Sequence, residues 1–222
     1  MTYDDMLSRL ENGDHFSWAR YGDGEWNCIL GKDPDKVNCD GHHYFPDLGE
    51  ALKKILEAQR PYFLGMQRLA EEQNSGNPEF ERLKSLNKWG SSDILHHASI
   101  KGQLKPFFNV IKNYDVTIVG PEKLLMNLDD DVVGDFYPLE IPEIDCWKAH
   151  NKTLNGLTKS IFRAPDGHYG DLVLYCASMM SEVLIDEMWQ IYGSDITQID
   201  LGSVLDPYAG IQSRTYHKNL AI

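Results

Sequence analysis

Apolar residues along this chain follow two rhythms. YDVTIVG (residues 114–120) and DLVLYCA (171–177) are nearly continuous apolar runs, the pattern of strands buried on both faces. DLGEALKKILEAQR (47–60) instead spaces Leu48, Ala51, Leu52, Ile55 and Leu56 at helical intervals. Extending both readings predicts a helix over 2–12, a strand over 15–21 and a short helix after Glu25. An irregular loop, GKDPDKVNCDGHHYFP (31–46), leads into the helix over 47–60 and a strand in PYFLGMQ (61–67). Residues 78–112 read as mainly helical with a break at NKWGSSD (87–93), and Pro121 starts a helix after the strand ending at Gly120. DFYPLEIP (135–142) reads as a short edge strand weakened by Pro138, followed by a long helix over 144–161. Ser178 caps the helix SMMSEVLIDEMWQIYG (178–193), DITQIDLG (195–202) is the last strand, and residues 203–222 form an irregular tail.

Strands alternating with helices predict an α/β fold: a single Rossmann-like domain over 1–222, with a mostly parallel sheet flanked by helices. In such sheets ligands gather at the carboxyl ends of the strands. Here those ends read GDGE, QR, GPE, ASMM and GSVLD, so glycine and polar residues converge at one edge.

Composition narrows the partners. Of 222 residues 42% are hydrophobic and 11% aromatic, enough for a buried core, and the net charge is −13. That charge gives no general attraction to nucleic acid or to an anionic membrane. The N-terminus MTYDDMLSRLENGD lacks the basic and apolar regions of a signal peptide, and no window is apolar for long enough to span a bilayer. Cys28, Cys39, Cys146 and Cys176 form no CxxC pair and read as reduced thiols, so the expected setting is cytoplasmic.

The densest chemistry lies in ARYGDGEW (19–26). Asp23 and Glu25 flank Gly24, and two hard carboxylates so placed suit Mg²⁺ or Mn²⁺ bound together with substrate phosphates. Arg20 on the preceding strand has the forked geometry for a diphosphate. An Asp-Gly turn opening a helix would explain the same letters. LDDDVVGDFYPLE places acids at some positions of a calcium loop, but Val133 occupies a ligand position and no exit helix follows. Cys28, Cys39, His42 and His43 match no zinc spacing. His96 and His97 read as surface residues. The chain has no nucleophile elbow, P-loop or full GxGxxG, which removes acyl-transfer, P-loop and dehydrogenase readings.

FSWARYGDGEW, VTIVGPEKL and QIDLGSVLDPY together, in this order and spacing, resemble the glycosyltransferases of the GT-D fold, formerly a domain of unknown function. The short length suggests a phage-type member. The resemblance extends over nearly the whole chain, with IPEIDCW similar to the family's Pro-x-x-Asn-aromatic turn but carrying Asp145 in place of the Asn. It implies a metal-dependent transfer of a sugar from a nucleotide diphosphate, UDP-sugar foremost, with Asp23 and Glu25 as catalytic residues that hold Mn²⁺ or Mg²⁺. The acceptor would be a hydroxyl of a glycan or glycoprotein, or a modified base of phage DNA. The expected donor-binding residues are Arg20, Gly22, Gly24, Gly120, Ser178, Gly202, Tyr208 and Arg214. Asp206 is the first candidate for general base and Asp40 the second. His42, Tyr44, Trp89 and Asp93 are the expected acceptor contacts. The alternatives are a metal-dependent phosphohydrolase and a nucleotide-binding module without turnover.

Overall fold

The computed structural model describes residues 1–161 and 171–219. All seven strands pair in parallel in one sheet: β1 (Ser17–Tyr21), β2 (Phe63–Met66), β3 (Trp89–Ser91), β4 (Asp115–Pro121), β5 (Phe136–Ile141), β6 (Asp171–Tyr175) and β7 (Thr197–Asp200). Their spatial order is β3-β2-β1-β7-β6-β4-β5. The chain moves outward from β1 to β3, jumps to the other half, and returns beside β1 with β7. The β1/β7 seam is therefore where the strand order reverses, and such a reversal opens a crevice at the carboxyl edge.

Alternation along each strand sorts the core into two layers. Ala19, Tyr21, Val173 and Tyr175 face one layer, with Trp26 of α2 (Asp23–Ile29), Leu52 and Leu56 of α3 (Pro46–Ala58) and Leu184 of a later helix. Trp18, Leu172, Leu174 and Ile199 face the other, with Met6 and Leu10 of α1 (Tyr3–Glu11) and Phe107. Both faces being covered explains why the strand sequences are apolar throughout rather than alternating. The first helix starts where a Thr2–Asp5 capping box satisfies two amides reciprocally, at 3.1 and 2.9 Å.

The remaining helices are α4 (Arg68–Asn74), α5 (Pro78–Ser85), α6 (Ile94–Ile100), α7 (Lys105–Ile111), α8 (Glu122–Leu125), α9 (Asp130–Val133), α10 (His150–Ser160) and α11 (Ser181–Tyr192). Three details differ from the sequence reading. The break at 87–93 is the edge strand β3, too short to show a period of its own. The long helix over 144–161 is a 3-10 turn, Cys146–Ala149, followed by α10. The helix at the first motif opens at Asp23, so the motif is itself the helix start. β5 is the opposite edge strand, where Pro138 is tolerated because only β4 pairs with it. All four cysteines are free thiols. Residues 220–222 of the expected tail lie outside the described residues. Among the described residues no helix is long and apolar enough to cross a membrane.

Candidate active site

The site begins where β1 hands the chain to α2. Gly22 is the N-cap, and Glu25, at the third helical position, accepts the Gly22 N–H through Oε2 at 2.6 Å. The Asp23 N–H is taken by Gln67 Oε1, just past β2, at 3.2 Å. Asp23 and Glu25 thus share the first turn of one helix, where its positive end favours carboxylates. Neither glycine of the motif needs a positive φ. They are small for packing: a Cβ on Gly22 would meet Glu25 Oε2 and Gln67 Oε1 at 3.2 and 3.3 Å, and one on Gly24 would meet Met179 at 3.3 Å.

Beneath that turn lies a buried charge cluster. Burial, with Asp200 adding to it, pushes the Glu25 carboxyl up to about 7. Asp200, at the end of β7, and Glu182, in the first turn of α11, are also raised, first by burial. Glu182 is only 1% exposed, and its carboxyl interacts with that of Asp200. Burial, then the neighbouring Glu25 and Asp200 carboxyls, raise this group and favour its neutral form. Arg20 is the counter-charge: its Nε donates to the Ser92 carbonyl at 2.9 Å and its Nη1 lies 3.7 Å from Asp200 Oδ2. Gly202 turns at φ +54 against this guanidinium, and a Cβ there would lie 2.3 Å from Arg20 Nη1. The β1–β7 ladder runs only over Ser17↔Gln198 and Trp18↔Ile199, so the two strands part where Arg20 and Gly202 meet.

Above the cluster opens a cleft of about 750 Å³. Of the residues singled out from sequence, it brings together Arg20, Gly22, Asp23, Gly24, Glu25, Asp40, Asp93, Ser178, Gly202 and Arg214. Ser178, expected to cap the helix, instead opens a 3-10 turn, Ser178–Met180, ahead of α11 at φ +49, and its Oγ accepts from Asn38 Nδ2 at 3.1 Å, tying the 31–46 loop to that turn. A second hollow of about 320 Å³ adjoins the first and shares Cys39, Asp40, Ser178, Gly202, Ser203 and Arg214 with it. His42 and Asp206 line this second lobe rather than the main cleft. Burial pushes the Asp206 carboxyl up to about 6, against the pull of its hydrogen bond from Ser213.

Four expected contacts lie elsewhere. Gly120 sits in β4 against Leu124 and Cys176, whose side chains occupy the space a ligand would need. Tyr208 packs edge-on against Phe108, ring centroids 4.8 Å apart, on the far layer of the core. Tyr44 is buried and its hydroxyl accepts from Asn27. Trp89 packs against Tyr21 and Trp26, its indole N–H donating to the Lys84 carbonyl at 2.9 Å. In each case an aromatic or glycine that sequence could equally assign to packing is doing that. Conversely, His96 and His97, expected at the surface, line the cleft. Burial, then Arg20, Arg214 and His217, lower His96 to about 2, so it is a neutral wall. Gln67 and Asp200 stand at strand ends that the sequence places at this edge, Asp200 within QIDLG, but neither was given a role, and Glu182 was missed because α11 meets β1 and β7 only in the folded sheet.

Asp145 lines a small separate hollow with His42, His43 and Cys146 rather than either lobe. Its backbone is left-handed, φ +54, and its carboxylate accepts from the His43 N–H at 3.0 Å, from His43 Nδ1 at 2.9 Å and from Lys148 Nζ at 2.8 Å. Burial alone would raise that carboxyl, but these bonds hold it well below the usual range. The pairing anchors the 31–46 loop to the turn after β5.

Among the described residues no three His, Cys, Asp or Glu side chains are grouped to cage a metal ion. The Asp23 carboxylate and the second oxygen of Glu25 fit a hard divalent cation in its sparsely ligated mode, with one or two carboxylates, substrate phosphates and waters completing the shell.

No family model and no curated protein matches the chain. Solved structures do. A glycosyltransferase of domain of unknown function 1792 from Streptococcus sanguinis superposes with TM-score 0.67 at 18% identity, covering 94% of this chain and 82% of that one. A structure described as showing that this highly conserved domain has a distinct glycosyltransferase fold gives TM-score 0.67 at 16% identity, covering 94% and 79%. Its selenomethionine-substituted counterpart gives 0.68 over the same shares. At such identities the likeness concerns architecture, and by architecture this chain has the GT-D glycosyltransferase fold.

Proposed function

We propose that the protein is a glycosyltransferase that moves a sugar from a nucleotide diphosphate donor, a UDP-sugar foremost, to a hydroxyl acceptor with the help of Mn²⁺ or Mg²⁺. The observation that carries this reading is the meeting of Asp23, Glu25 and a clamped Arg20 at the strand-order reversal of a sheet with this fold. A cation held by Asp23 and Glu25 supplies positive charge for the leaving diphosphate when bound. The protein's own contribution is orientation. Arg20, fixed by Ser92 and Asp200, presents preset donors to a phosphate oxygen and loses little freedom in doing so.

A base must take the acceptor proton. Asp206 is the better of the two candidates, because Asp40 accepts both ends of the Arg214 guanidinium. Asp206 accepts a hydrogen bond from Ser213 and lies in the lobe adjoining the donor cleft. A glycan or glycoprotein hydroxyl is the preferred acceptor, since a chain of net charge −13 offers little to a DNA duplex.

Incubation with a panel of UDP-sugars and Mn²⁺, with and without acceptor glycans, tests the reading. Sugar transfer supports it. Hydrolysis of varied phosphate esters would assign a phosphohydrolase instead, and binding without products a nucleotide-binding module.

A further inference from the structure

The wall that the two lobes share contains an ion pair. Arg214 Nη2 donates to Asp40 Oδ2 at 2.8 Å and Nη1 donates to Oδ1, a two-point fork between residues 174 positions apart. Both residues line both lobes, as do Cys39, Ser178, Gly202 and Ser203, and they are the charged members of that shared wall. Neither partner belongs to the sheet. Asp40 sits in the 31–46 loop, whose one ladder contact among the described residues is an isolated Val37–His43 bridge. Arg214 sits just before a 3-10 turn, Thr215–Asn219, and its segment is tied down by Ser213 to Asp206 and by the Arg214 N–H to His217 Nδ1. Those ties differ in kind from the ones on Arg20, which is locked by a backbone carbonyl and a buried carboxylate.

The partner chemistry completes the argument. A carboxylate offers the guanidinium two oxygens in one plane, and so does a phosphate, with more negative charge. Five carboxylates line the main cleft, Asp23, Glu25, Asp40, Asp93 and Asp200, against two guanidinium groups, Arg20 and Arg214. An incoming diphosphate therefore meets one arginine that is fixed and one whose partner is replaceable.

We propose that Arg214 is a donor-exchanged bolt: it closes the shared wall by pairing with Asp40, and passes to the diphosphate when a nucleotide enters, which releases Asp40 and joins the two lobes. This rests on the transferase reading above. No bond is made or broken beyond the exchange of two hydrogen-bond acceptors. Its consequence is an order of events, because the acceptor lobe communicates with the donor cleft only after the donor has arrived.

The exchange makes the two partners of one ion pair act with opposite sign. Binding of UDP with Mn²⁺ is measured by calorimetry on the full chain for wild type, Asp40→Asn, Arg214→Gln and the double variant, with circular dichroism as the folding check. Asp40→Asn frees Arg214 in advance and should tighten UDP binding about tenfold, the scale of one charge-assisted contact. Arg214→Gln should weaken it by a similar factor. In the Arg214→Gln background Asp40→Asn should then bring no gain. If both single variants weaken binding alike, the pair is merely structural and the proposal is overturned. A gain from Asp40→Asn that persists in the double variant, or that Asp93→Asn reproduces, assigns the effect to plain charge removal and overturns it too. Arg214→Lys keeps the charge without the fork, and it should bind between wild type and Arg214→Gln. If wild type binds UDP with Mn²⁺ under no condition, the transferase reading itself fails and the bolt goes with it.

Discussion

Gly202→Ala is the sharpest single perturbation of the site, because one methyl group meets two separate obstacles. Gly202 has φ +54, a conformation that costs an L-residue about 1–2 kcal/mol. The new Cβ would also lie 2.3 Å from Arg20 Nη1. An arginine free in solvent would swing aside at little cost, but the Arg20 side chain is only 15% exposed and is held by Ser92 and Asp200. Moving it gives up a hydrogen bond to a charged group, worth roughly 1.5–3 kcal/mol. Together these amount to about 3–4 kcal/mol. For a chain of this length that is a fall in Tm of about 10 °C. Gly210→Ala is the matched control: φ is +69 there, yet nothing lies within 4 Å of the added Cβ, so only the backbone term applies. Thermal and guanidinium denaturation of both variants, with UDP–Mn²⁺ affinity measured alongside, separates the terms. Arg20→Ala removes the obstacle, so the double variant should be only about 1–2 kcal/mol worse than Arg20→Ala. If Gly202→Ala matches Gly210→Ala in stability, or adds in full to Arg20→Ala, Arg20 is not clamped as argued.

Three further outcomes follow from the same geometry. Asp23→Asn should leave stability nearly unchanged and lower turnover at least about a hundredfold, whereas Glu25→Ala should also lose about 1 kcal/mol of helix cap that Glu25→Gln retains, all read by denaturation and initial rates. Asp206 is raised from 3.8 to about 6, so a base at this position is lost as pH falls below about 6 and log kcat/KM should drop there with unit slope, a limb that Asp206→Asn abolishes. The stability contribution of the same group has the opposite sign: the folded state holds the proton more tightly, so it favours folding at low pH and fades as pH rises from about 4 to 6. Removing residues 207–222 should destabilise the fold as well as silence it, because Tyr208, Ala209 and Ile211 pack into the core layer that contains Phe108; an unaltered Tm in the truncated chain would contradict that packing.

How much of this was legible beforehand depended on whether the information was local. Helices and strands of the sheet's interior announced themselves, because a parallel sheet covered on both faces demands apolar runs such as VTIVG and DLVLYCA. β3 did not, since three residues at an edge carry no period. Arg20, Asp23 and Glu25 were legible because the chain itself places them within six residues of one another. Asp200 was legible only as part of QIDLG, a strand end that carries the resemblance, with no role assigned to it, and Glu182 was not legible at all; they meet Glu25 only because β7 returns beside β1. The aromatic candidates are placed elsewhere for the reverse reason: Trp89, Tyr44 and Tyr208 have the right chemistry for a sugar, but Tyr44 is buried and the other two are half-buried against the core layers.

The motif itself shows how one stretch serves folding and chemistry together. Glu25 is legible as a metal ligand and equally legible as part of a turn opening a helix, and the structure gives one of its oxygens to the N-cap amide of that helix. That assignment does not remove the first. A carboxyl group whose Oε2 is fixed by the Gly22 N–H cannot rotate freely, so its position at the cleft is set before any ligand arrives. The same economy governs Gly22 and Gly24, which bring Gln67 and Met179 close instead of supplying a positive φ. An alanine at either would press on the side chains that orient the turn, Gln67 above all, since it holds the Asp23 N–H. Gln67→Ala should therefore loosen Asp23 without touching a ligand. It should weaken Mn²⁺-dependent UDP binding by severalfold while leaving the metal-free Tm within a few degrees of wild type, at the cost of about one hydrogen bond. Equal loss of stability and binding would mean that Gln67 supports the fold and not the aim of the carboxylate.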